Sequence, residues 1–130
     1  MTYEERLTKS IEETREYFHQ ELRVVHDLNW ERKDGTLEAL IETLPTRMRI
    51  LVQHQTNHFV HDEAEHGQGR EEVVQDEYLT RVSAEAESLA GMYENEHRLG
   101  TFLIPENSHL RLQEIMTTLK DDLKAGKLDY

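Results

Sequence analysis

Histidine is the side chain best suited to acid–base and metal chemistry near neutral pH, and this chain carries eight of them in 130 residues. Four are clustered: His54, His58, His61 and His66. His54 and His58 are one helical turn apart, as are His58 and His61, so on a helix they stack along one face. Two imidazoles held in that way chelate one divalent ion, because neutral ring nitrogens converge from a rigid backbone. At about 100° per residue, His54, His58, His61 and Glu65 form a single row. That row is rotated by about a quarter turn from the apolar stripe through Met48, Gln55 and Phe59. Asp62 and His66 fall on the stripe itself. The row therefore predicts a site at the edge of a core, where a neighbouring element meets it.

The carboxylates that complete such a site are sought on the next segment. If the chain folds back antiparallel around Gly67–Gly69, His54 comes level with Glu85 and His61 with Glu77. Glu85 falls between Val82 and Leu89 on an apolar stripe, and Glu96 lies on the same stripe. An unpaired charge there is expensive, so a carboxylate at that position needs a partner. The expected ligand set is His54 and His58 with Glu85, supplemented by His61 or Glu77, and the expected ion is zinc or iron. His19 and His26 on the first segment are outer candidates. Without a metal, the same cluster reads as a pH-sensitive interface, since packed histidines repel once charged below about pH 6.5.

Other motifs carry less. Glu63–His66 and Glu94–His97 both match the Glu-x-x-His pattern that di-iron bundles use twice. In an antiparallel hairpin these two copies sit at opposite ends, about 40 Å apart. His54-x-x-x-His58 lacks the glutamate of the zinc-protease helix, and Gly67-Gln-Gly69 lacks the Lys-Ser/Thr of a phosphate loop. Arg49 and His54 have an Arg-x4-His spacing seen in some helical RNases, on a chain without a basic groove.

Four segments must position these residues. The first spans about Tyr3 to Trp30, with Leu7, Ile11, Phe18, Leu22, Val25 and Asn29 at helical spacing. The second, about Thr36 to His66, aligns Leu37, Leu40, Ile41, Leu44, Met48, Leu51, Val52 and Phe59, and Pro45 should bend or restart it. The third, about Arg70 to Leu99, turns Val74, Tyr78, Val82, Leu89 and Met92 inward. The fourth starts near Asn107 or Ser108, either of which can cap it, and aligns Leu112, Ile115, Met116, Leu119 and Leu123. Thr101–Ile104 is the one extended stretch, too short to build a sheet. Long amphipathic helices on short connections predict one all-α domain over residues 1–130, an antiparallel up-down-up-down four-helix bundle. The shorter fourth helix leaves apolar surface uncovered, which points to a homodimer.

Charge and composition exclude several classes. Fifteen Lys and Arg stand against 27 Asp and Glu, a net charge of −12. Duplex nucleic acid and anionic membrane surfaces demand clustered basic residues, so neither is an expected partner. No apolar run spans a bilayer, and the acidic start Met1-Thr-Tyr-Glu-Glu-Arg is unlike a signal peptide, which makes a cytoplasmic location the expectation. With no cysteine, disulfide frameworks and thiol chemistry are excluded. The alternative to a metal site is a non-enzymatic acidic interaction or inhibitor module that binds a basic protein, imitating nucleic-acid phosphates.

Overall fold

The apolar stripes become four helices: α1 (Tyr3–Glu31), α2 (Thr36–Glu65), α3 (Glu71–Leu99) and α4 (Glu106–Lys124). The computed structural model describes residues 1–31, 36–67, 70–101 and 104–127, without the side chains of 28–31 and 36. The inward side chain expected of Asn29 and the stretch 102–103 lie outside what is described, while α1 runs to Glu31, next to the expected end at Trp30. Pro45 sits inside α2 without ending it. At α4 the expected Asn107 or Ser108 cap gives way to Pro105, whose extended ψ of 142° turns the chain into the helix with no side-chain cap. Ser108 is instead buried. Gly100 closes α3 at φ 70°, and its N–H bonds back to the last turn. That left-handed conformation is easy only for glycine.

Successive helices are antiparallel, and the four faces meet in one core. Phe59 of α2 packs on Tyr78 of α3, Arg6 of α1 reaches Glu63 of α2, and Tyr93 of α3 meets His109 of α4. The tightest association is α3 with α4. α2 and α3 touch across the short diagonal, while α1 and α4 occupy the far corners and do not meet among the described residues. α1 therefore lies over the seam between α2 and α3. The inward residues anticipated on α1 and α4 are buried where described, but Met92 of α3 is 40% exposed. Tyr93 and Leu89 fill that level of the core instead. No helix among the described residues is long and apolar enough to cross a membrane.

A polar layer crosses this core and fixes the register of three helices. The Tyr78 hydroxyl lies 2.9 Å from the Ser10 hydroxyl and 2.8 Å from that of Thr14. Gln55 of α2 donates to Thr14 at 3.4 Å. Burial pushes the Tyr78 phenol above its ordinary range, so it stays a neutral hydrogen-bonding group. Tyr78→Phe is expected to cost about 1–2 kcal/mol, the usual loss when buried hydroxyls give up a partner; urea denaturation at pH 7 measures it.

Candidate histidine and carboxylate sites

The anticipated row forms on α2. His54 and His58 stack nearly parallel, with ring centroids 6.4 Å apart and planes 12° from one another. His58 Nε2 lies 3.3 Å from Asp62 Oδ2, and His61 Nε2 lies 3.5 Å from Glu65 Oε1. His54, His58, His61 and Glu65 are exposed and Asp62 is half-buried, with His58 and Asp62 on the side of α2 next to α1. His66 turns back on its own helix, with Nδ1 2.8 Å from the Asp62 carbonyl, which accepts.

Glu85 and Glu77 do not join the row. Glu85 accepts two bonds from Arg15 of α1, at 2.9 and 3.0 Å. Glu77 accepts the Tyr3 hydroxyl, also of α1, at 2.6 Å. The expected register is sound, since Phe59 against Tyr78 sets nearly the level that pairs His54 with Glu85. The face is what differs. α1 sits over the α2–α3 seam, so Glu77 and Glu85 of α3 meet one flank of α1 and His58 and His66 of α2 border the other. Angular counting puts Asp62 on the core stripe, yet its side chain is 48% exposed beside His58.

A cleft of about 280 Å³ opens on that second flank, between α1 and α2. His58, Asp62 and His66 line one wall, and Lys9, Ser10 and Glu13 the other. Its floor includes Glu63, which is almost wholly buried and accepts two bonds from Arg6, at 2.7 and 2.8 Å. Hydrogen bonding to Arg6 holds the Glu63 carboxyl below its ordinary range, against the burial that raises it. Glu63 is thus a fixed anion committed to Arg6, and its Glu-x-x-His spacing to His66 is structural. The carboxylates close to the histidine row are Asp62 and Glu65 of α2 itself, with Glu13 of α1 on the facing wall of the cleft; a search confined to the third helix finds none of them. The short turn after α2 suggested α3 as the neighbour; the bundle places α1 there.

A second group gathers at the opposite end of the bundle. His26 of α1 lies parallel to Tyr93 of α3, with centroids 6.3 Å apart and Nε2 3.3 Å from the phenol oxygen. Tyr93 meets His109 of α4 edge-on at 5.2 Å, and His97 stacks on His109 at 6.4 Å. His109 Nδ1 is 3.9 Å from Glu96 Oε2. His109 is fully buried, and its place was readable: it continues the α4 stripe one turn back from Leu112. His19 and His26, the outer candidates for the α2 row, line a cleft between α1 and α3 with Arg23, Tyr93 and Glu96, a cleft to which α2 contributes no lining residue.

Among the described residues, no three His, Asp or Glu side chains already converge on one point that holds a metal. No known protein family matches the chain, and no curated protein or solved structure matches it either.

Proposed function

We propose that this helical bundle binds a divalent cation, zinc by preference, on the exposed α2 row His54–His58, with Asp62 as the carboxylate ligand. The observation that carries the reading is the near-parallel stack of His54 and His58 with Asp62 at its end. Ligand bonds of about 2.0–2.1 Å in a tetrahedron place neighbouring donor atoms on the order of 3.4 Å apart. The 3.3 Å from His58 Nε2 to Asp62 Oδ2 already matches such an edge. Imidazole with carboxylate suits zinc better than the hard cations, which take oxygen alone. His61 and Glu13 lie at the margins of this group, and Glu85 and Glu77 take no part in it.

Calorimetric titration with zinc tests this. One ion per chain is expected to bind at pH 7.5. Ligating imidazoles must be neutral, so binding is lost as pH falls through the range where imidazole takes up its proton, near pH 6.5 and below. Equal and negligible heat at pH 7.5 and pH 5.5 contradicts the reading.

A further inference from the structure

The acidic residues of this chain are unevenly spread. α2 carries no Asp or Glu from Thr43 to His61, the longest carboxylate-free stretch in a sequence with 27 acidic residues. The other helices all expose carboxylates, as at Glu16 of α1, Glu87 of α3 and Glu114 of α4. Within the stretch, both arginines turn aside. Arg47 reaches Glu21 of α1 at 3.0 Å, and Arg49 reaches Asp122 of α4 at 2.5 Å. Between these flanks, Thr46, Ile50, His54, Asn57 and His61 follow one another at three- and four-residue spacing, and all are exposed. They form one strip along the outside of α2. Ile50 is 54% exposed there. Tyr17 of α1, also part-exposed, borders the strip: it lies one turn from Glu21 and one turn from Glu13, which lines the cleft against α2.

The zinc ligands sit at the edge of this strip. His58 and Asp62 line the cleft toward α1. His61 precedes Asp62, and successive residues of a helix point about 100° apart. His61 is therefore turned away from an ion that Asp62 holds, and its side chain is 74% exposed. Its approach to Glu65, at 3.5 Å, is exposed as well and weakly held. Three ligands from His54, His58 and Asp62 leave the fourth position of the tetrahedron open.

We propose that zinc joins two copies of this chain through the outer strip of α2, with His61 of each copy filling the fourth position on the zinc of the other. Such a dimer rests on the zinc site proposed above and names the partner that completes it. The contact is isologous, the same strip serving both copies. Charge selects a second copy as the occupant. Two chains of net charge −12 repel wherever their carboxylates face one another. The α2 strip brings none forward, and zinc adds positive charge at the contact. A basic partner is drawn to the carboxylate-rich faces instead. Ile50 and Tyr17 lose exposed apolar surface in the dimer. Thr46 and Asn57 are polar, so the strip holds too little apolar surface to keep two acidic chains together without the metal.

Sedimentation velocity of the full chain at pH 7.5, with a chelator and with excess zinc, tests this beside calorimetry of zinc uptake. The wild type should be monomeric in chelator and dimeric in zinc. Ile50→Glu sets two carboxylates against each other in the contact. It should keep zinc uptake and weaken the dimer by about 100-fold or more. His61→Ala should also keep zinc uptake and weaken the dimer by at least about tenfold. Both positions are exposed, so neither change disturbs the core. Absence of zinc uptake overturns the site and the dimer together. Zinc uptake by a wild-type chain that stays monomeric overturns the dimer alone. So does a dimer that persists in chelator, or one that either variant leaves unweakened.

Discussion

Phe18→Ala is expected to remove about 3–5 kcal/mol of folding stability, the usual range for truncating a buried aromatic ring. Phe18 is fully buried at the middle of α1, where that helix covers the α2–α3 seam. α1 has no second layer to hold it, since it makes no approach to α4 among the described residues. Its other anchors are the Tyr78–Ser10–Thr14 hydroxyls, the Arg6 pair with buried Glu63, and ion pairs near the surface, such as Arg47–Glu21 at 3.0 Å and Arg81–Glu4 at 2.8 Å. Exposed pairs contribute little each, so the apolar stripe carries the docking. Guanidinium denaturation at pH 7 checks the value. A loss below about 1 kcal/mol would mean that α1 is not seated on the seam.

The second large effect concerns zinc. His54→Ala/His58→Ala is expected to weaken zinc binding by about 100-fold or more, and either single change by at least about tenfold, since even outer-shell losses at metal sites cost 10–100-fold. Asp62→Ala should weaken it too. Glu85→Gln should leave affinity within about twofold, because Arg15 rather than a histidine holds that carboxylate. Competition against a chromophoric chelator resolves all five variants. Strong loss in Glu85→Gln, with none in Asp62→Ala, would restore the α2–α3 pairing and refute the site on the α1 flank.

Those two variants mark where sequence reasoning holds and where it stops. Helical period recovers the four elements, because Leu7, Ile11, Phe18, Leu22 and Val25 can be buried together only on one side of a helix. It also recovers the stack of His54 on His58, which depends on backbone geometry alone. Level along the bundle is recoverable as well, as Phe59 against Tyr78 illustrates. Which helix faces which flank is not. Arg6 and Arg15 are both exposed-looking cations in the sequence, yet one reaches Glu63 of α2 and the other Glu85 of α3. That choice depends on α1 lying over the seam, a property of how four helices close around one core. The partners of His109 are hidden for another reason. Its place on the α4 stripe is legible, but the Tyr93 carbonyl that its ring bonds belongs to another helix and has no signature in the sequence.

The central claim is a cation on the α2 row, and anomalous diffraction at the zinc absorption edge from zinc-soaked crystals tests it most directly. The account predicts one strong anomalous peak within about 2.0–2.2 Å of a His54 nitrogen, a His58 nitrogen and an Asp62 oxygen. No peak at that row under saturating zinc, or a peak held by Glu85 or Glu77, would contradict it.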